Sequence, residues 1–426
     1  MSICIPRKIL TKEHVKEMDK KLMITPESTK KSFNKNFHYQ PPKIPFFQAF
    51  HDNVHVPFSW GLQYFQQEEI LKKKEFSPLV LKFTGTLRPE QLDMKQNAID
   101  LLEKNNTCLM AVYPGGGKTI TSVDIISEMK VATLIIVNKV VLIEQWKETI
   151  QQYLHIDPFV IGGKNCKLKS SPIYIVNAIN LPKHSFETLQ GLRIGMVIVD
   201  ECHLILTKIF SQALFYLCPR YLLGLSATPY RMDGFNQLFD MYFGIARIHK
   251  SLYKPHQVLC VHSKISIEHE IAKNGNINWN SVIDRQADSP ERLALICKYV
   301  REYPNRNVLI LCKRIKQMNA LYKELVKTET VSVFKESDSH YDKNVRVLIS
   351  SYQKVGTGFS HDKLDMLILG SDTEEYFLQY LGRVFRRQDS SPLIIDIVDD
   401  HSVLWKHYRT RAKVYRECGG KIKKIN

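Results

Sequence analysis

The stretch "AVYPGGGKTITS" (residues 111–122) decides how the chain is read. A phosphate-binding loop needs a strand to deliver it and small residues that let backbone N–H groups approach an anion. It also needs a lysine, a hydroxyl for a metal and a helix starting behind them. "TCLMAV" (107–112) is a buried-strand run, Gly115, Gly116 and Gly117 form the small turn, and Lys118 and Thr119 follow. Ile120, Val123, Ile126 and Met129 then fall on one face at helical spacing. One position departs from the strict pattern: Val112 stands five residues before Gly117, where a glycine is usual.

Working outward, "GMVIVDECHL" (195–204) runs a buried strand straight into Asp200 and Glu201. Two acids thus emerge at the C-terminal edge of a sheet, the edge where the glycine loop lies. Alone, they read equally well as a solvated strand end. With a Lys-Thr loop upstream they have a chemical use, Asp200 holding Mg²⁺ through water and Glu201 orienting and deprotonating an attacking water. "GLSATPYR" (224–231) follows by about one strand–helix unit and places the hydroxyls of Ser226 and Thr228 at another sheet edge. In "QYLGRVFRR" (379–387), Gln379, Arg383 and Arg386 recur at i, i+4 and i+7, which predicts one helical face bearing paired guanidiniums suited to phosphate.

From residue 107 the runs "TCLMAV", "TLIIV", "IYIV", "MVIV" and "LLGL" alternate with amphipathic stretches. A second series, "NVLILC", "VSVF", "VRVLIS", "DMLILG" and "PLIIDIV", repeats the alternation. Such patterns predict parallel sheets covered on both faces. The reading is an α/β protein with two domains, 87–235 and 286–400, joined by an irregular insert at 236–285. Residues 1–86, with twelve aromatics and seven prolines, are too apolar for disorder. They read as a small β-containing domain or wrapping segment, with nucleic-acid binding as one role.

The composition, 44% apolar and 24% charged, is that of an ordinary globular chain, but sixty Lys and Arg against forty-three Asp and Glu give +17. That excess points to a polyanion partner. It is concentrated at the ends: residues 401–426 hold eight basic side chains and one acidic, with Trp405, Tyr408 and Tyr415 interleaved. This segment reads as a basic tail, for nucleic-acid contact or for solvation. Nine scattered cysteines without a C-x-x-C pair predict reduced, intracellular usage. The charged N-terminus is no signal peptide, and no apolar run approaches membrane-spanning length.

The ordered series "LRPEQ", "YPGGGKT", "IIVNKVVLIEQW", "DECH", "SATP", "SSYQKVGTGF" and "QYLGRVFR" resembles the motifs of superfamily 2 helicases and translocases over residues 87–390. "LRPEQ", the "QW" and "SATPYRMDG" are similar to the group of XPB, UvsW and the transcript-release helicases of poxviruses and related large DNA viruses. In that superfamily the first loop usually reads A-x-x-G-x-G-K-T, so Val112 falls within its variation.

The resemblance implies two tandem RecA-like domains that close on ATP and Mg²⁺. It implies that Gln91 reads adenine with Arg88 nearby, that Gly115, Gly116, Gly117, Lys118 and Thr119 hold phosphates, and that Thr119 and Asp200 hold the metal. His203 would link the acids to Ser226 and Thr228, Arg386 would be an arginine finger, Arg383 a second phosphate contact and Gln379 a water-positioning or interdomain group. Asn138, Lys139, Gly163, Lys164, Asn177, Lys313, Arg314 and Thr357 would contact the strand, mainly at its phosphates. Two departures stand out: Ser360 replaces the acid of the fifth motif, with Asp362 two later, and Arg231-Met232-Asp233 replaces an Arg-Glu-Asp element. The activity implied is an ATP-dependent motor favouring DNA over RNA, acting as a monomer in viral transcription or DNA metabolism, with transcription or repair proteins as partners. A viral source would place it in the host cytoplasm and the virion. An RNA helicase and a non-unwinding ATP-dependent clamp are the alternatives.

Overall fold

A computed structural model describes residues 1–25, 43–66, 76–206, 214–227, 235–272, 275–338, 340–356, 361–373, 377–387 and 389–425. Its N-terminal part contributes β1 (Ser2–Pro6), the two-residue strands β2 (Met23–Ile24) and β3 (Ile44–Pro45), β4 (Gln48–Phe50) and β5 (Asn53–Pro57). Strand β5 pairs antiparallel with both β1 and β4, giving the small β-containing element read from residues 1–86. Contacts divide the chain into two units, Met1–Val112 with Gly116–Lys250, and Ser251–Asn426 with Tyr113–Gly115.

Each apolar run of the first series becomes a strand of one sheet. The strands are β6 (Thr107–Val112), β7 (Thr133–Val137), β8 (Phe159–Ile161), β9 (Ile173–Asn177), β10 (Met196–Val199), β11 (Tyr221–Ser226) and β12 (Arg247–Lys250). The order is β12-β6-β11-β10-β7-β9-β8, parallel throughout. Successive side chains of a strand point to opposite faces. Leu109, Leu134, Ile136, Val197 and Val199 therefore share one apolar cluster, together with Phe46, Phe58, Phe239 and Phe243. The N-terminal aromatics thus complete the core of the first unit.

The second unit is built the same way from β13 (His256–Ser266), β14 (Val308–Cys312), β15 (Val331–Phe334), β16 (Val347–Ser351), β17 (Met366–Leu369), β18 (Leu393–Asp400) and β19 (Gly420–Ile425). These pair in the order β15-β16-β14-β17-β18-β13-β19, again parallel. Alternation separates two clusters. Leu309, Leu311, Leu367 and Leu369 lie on one face, and Val308, Ile310, Met366 and Ile368 on the other.

Two stretches differ from the sequence reading. The region read as an irregular insert contains the helix Gln237–Phe243, β12, β13 and most of the helix Trp279–Asp288, and it supplies both sheets. The residues read as a basic tail form the helix Ser402–Glu417 and β19. Leu404, Tyr408, Ala412 and Tyr415 are that helix's apolar face, so the interleaved aromatics serve a core. Arg411 is buried beside them. Its guanidinium donates to both carboxylate oxygens of Asp396 at 2.8 and 2.9 Å and to Asp372 at 2.7 Å, and the Tyr415 hydroxyl donates to Asp396. A buried pair of this kind destabilises strongly when one partner is removed. Six of the nine cysteines are buried. Among the described residues no helix is long and apolar enough to cross a membrane.

Candidate functional site

The loop after β6 has the backbone that its glycines predict. Gly115 and Gly117 adopt φ of +85° and +87°, a region that side-chain-bearing residues avoid, and Gly117 caps the helix Lys118–Met129. A Cβ on Gly117 would lie 2.0 Å from Gln91 Nε2, so Gln91 is packed directly against the loop. Gln91 is buried and held in place, its Oε1 accepting from the Arg88 N–H at 2.8 Å at the start of the helix Pro89–Asn105. Val112 is a buried strand residue whose carbonyl accepts from Lys118 Nζ at 2.8 Å. The position lacking glycine therefore lies in β6, before the turn.

Strand β11 separates β6 from β10, so the glycine loop and Asp200–Glu201 leave the same sheet edge two strands apart, with Ser226 ending the strand between them. The Asp200 carboxylate is held at both oxygens, Oδ2 accepting from Trp146 Nε1 and Oδ1 from the Glu201 N–H, each at 2.9 Å. Burial is the main cause that raises its pKa to about 6, reinforced by the Glu201 charge and opposed by the Trp146 bond and the Lys118 charge. Glu201 has left-handed backbone, φ 47° and ψ 48°. Its Oε2 lies 3.5 Å from His203 Nδ1, which is 3.0 Å from Ser226 Oγ. Carboxylate and hydroxyl thus face the same imidazole nitrogen from the ends of neighbouring strands. Cys202 is core, its thiol pushed well up by burial.

Trp146 was not among the sequence candidates. It falls at helical spacing with Leu142, Ile143 and Ile150 on the buried face of the helix Val140–Leu154, which by periodicity reads as core. The available signal is that a buried indole N–H needs an acceptor.

Strands β7, β9 and β8 end side by side, which brings other candidates together at one edge. Asn138 and the exposed Lys139 follow β7, Asn177 ends β9, and Gly163 and the exposed Lys164 follow β8. The Asn177 side chain accepts from the Ile179 N–H at 3.2 Å.

In the second unit Gln379 and Arg383 are buried on the helix Phe377–Val384. Arg383 donates to the Gly356 carbonyl at 3.0 Å, and Gln379 Oε1 would lie 3.4 Å from a Cβ on Gly356. Both brace Gly356, which lies within the motif "SSYQKVGTGF". The predicted single face is corrected at Arg386, because the helix ends at Val384 and the guanidinium, half-buried beyond it, lies 3.9 Å from Asp362. Burial lowers its pKa, while Asp362 and Tyr341 act in the opposite sense. Arg314 donates to Asp284 at 2.8 Å and to Asn280 at 2.9 Å, and the Lys313 N–H donates to Ser371. Thr228, Thr357, Ser360 and Arg231-Met232-Asp233 lie outside the described residues.

A family model described as "Type III restriction enzyme, res subunit" matches residues 84–231. The chain is 35% identical over 412 residues to "Putative helicase 161L" of Invertebrate iridescent virus 6, with 90% of this chain and 92% of that protein covered. It is 24% identical over 376 residues to "DNA 3'-5' translocase XPB2" of Sulfurisphaera tokodaii, covering 76% of this chain and 85% of that protein. Among solved structures, S. cerevisiae Dbp5 bound to RNA and ADP BeF3 aligns with a TM-score of 0.54 at 13% identity, over 80% of this chain and 94% of that one. That likeness shows the fold, two RecA-like domains in tandem. Sequence, fold and relatives agree that the chain belongs to the superfamily 2 helicases and translocases, related to helicases of the iridoviruses and to XPB translocases.

Proposed function

We propose that the protein is an ATP-driven motor on nucleic acid, acting on DNA in preference to RNA. The observation that carries this reading is the shared sheet edge at which the glycine loop, the Asp200–Glu201 pair and the His203–Ser226 contact meet. The backbone of Gly115–Gly117 and the Lys118 ammonium hold the phosphates of ATP, and Gln91, lodged against Gly117 with Arg88 beside it, reads the adenine. Thr119 and Asp200 fit Mg²⁺, because hard oxygen donors and a desolvated carboxylate short of positive charge suit that ion. Bound there, the ion would neutralise charge on the phosphate oxygens.

Glu201 accepts the proton of the attacking water, and His203 transmits the state of that carboxylate to Ser226. Arg386 stabilises the transferring phosphoryl group, with Arg383 and Gln379 supporting it. Strand phosphates are held at the edge formed by β7, β9 and β8. The name of the archaeal relative supports DNA as the track, and the iridovirus likeness supports a place in viral transcription or DNA metabolism.

The decisive experiment measures ATPase rate with single-stranded DNA, duplex DNA and RNA in parallel. Stimulation by DNA is expected, weakening steeply as salt rises because the contacts are cation to phosphate. Preferential stimulation by RNA would establish the transcript-acting alternative, and a rate indifferent to every polynucleotide would refute the motor.

A second measurement addresses Trp146. Trp146→Phe keeps an aromatic side chain and removes the N–H that holds Asp200 Oδ2. Groups that orient a metal-holding carboxylate carry about 10- to 100-fold in metal affinity or activity. The Mg²⁺ concentration for half-maximal hydrolysis should rise by about that factor. An unchanged Mg²⁺ requirement would reduce Trp146 to a packing residue.

A further inference from the structure

The second unit holds a cavity of about 1190 Å³, lined in part by the candidate strand contacts Lys313 and Arg314. It opens where β14, β16 and β17 end, since Cys312–Lys316, Ser351–Gln353 and Asp372–Thr373 line it. The carboxyl edge of a parallel sheet is where such folds take ligands.

Its lining selects the ligand. Three cations, Lys313, Arg314 and Lys316, face three acids, Asp284, Glu336 and Asp372. Each acid is already engaged: Asp284 by Arg314 and Lys316, Asp372 by Arg411 and His407, and Glu336 by the Ser351 hydroxyl. The cations suit the phosphates of a strand, and the rest of the lining suits a planar base. The walls are aromatic: Trp279 meets His407 edge-on at 4.9 Å, and Tyr352 meets Tyr380 edge-on at 4.9 Å. His407 is itself anchored, Nδ1 lying 2.6 Å from Asp372, so the half-buried indole is held in a set orientation.

We propose that Trp279 is a stacking platform for an unpaired nucleobase of a bound single strand, an assignment that rests on the nucleic-acid reading above. Stacking on an aromatic ring tolerates any base, so the platform adds affinity without sequence preference. It complements the phosphate contacts of the first unit by gripping the face of a base.

The test compares two fluorescein-labelled oligomers of equal length on the full chain without ATP, one oligothymidylate and one an abasic sugar–phosphate strand. Their phosphates are identical, so any difference reports the bases. Oligothymidylate should bind about 5- to 100-fold more tightly, the range that one stacked base supplies. Trp279→Ala should bring it down to the abasic level, and Trp279→Phe should restore most of the difference. Equal binding of the two strands by the parent protein, or undiminished oligothymidylate binding by Trp279→Ala, would overturn the platform alone. Binding of neither strand would overturn it together with the nucleic-acid reading.

Discussion

Glu201→Gln should lower ATP turnover by about 10²- to 10⁴-fold while ATP binding persists, because a positioned general base contributes about that much. The expectation rests on the proposed role of Glu201 as the base. Glu201 is held in a left-handed backbone conformation that costs a residue with a side chain about 1–3 kcal/mol. It is kept there by its N–H donating to Asp200 and its carbonyl accepting from the Leu204 N–H at 2.8 Å. The strain aims the side chain at His203. Glutamine has the same length and shape and leaves the backbone bonds intact, but it cannot accept a proton. Single-turnover hydrolysis alongside ATP binding checks the expectation. Turnover within tenfold of the parent would remove Glu201 from the chemistry and leave it a structural link to His203.

Arg386→Lys should be at least as damaging. Lysine preserves a positive charge but lacks the planar fork that contacts two oxygens at once. Arginine fingers contribute on the order of 10³ to 10⁵ in phosphoryl-transfer rate. ATP affinity should change much less, because in the proposed site ground-state binding rests mainly on the loop at Gly115 to Thr119. Arg386 is half-buried, with Asp362 3.9 Å away. If Glu201 and Arg386 act on one transition state, the double variant should be scarcely worse than either single one. Losses that multiply would assign them to separate steps. Weakened ATP binding with turnover spared would make Arg386 a ground-state anchor.

What the amino-acid sequence determined by itself is local in origin. Strands buried on both faces are continuous apolar runs, which is why β6, β7, β9, β10, β11, β14, β16, β17 and β18 were legible. The glycine loop was legible because left-handed backbone demands glycine at Gly115 and Gly117. The acids of "DECH" were legible because a buried strand runs directly into them. Tertiary structure alone decided the rest. Strands β8, β12 and β19 lie at sheet edges, where short length or charged side chains protect unpaired backbone, so they carry little apolar signal. The C-terminal helix read as a basic tail, for nucleic-acid contact or for solvation, because its core partners, above all Asp396 and Asp372 for Arg411, come from other elements. The end of the helix at Val384 removed Arg386 from the face that periodicity predicted. Trp146 reaches Asp200 across fifty-four residues of sequence. No spacing rule contains such a contact, because a hydrogen bond between remote residues exists only once the sheet has brought their elements side by side.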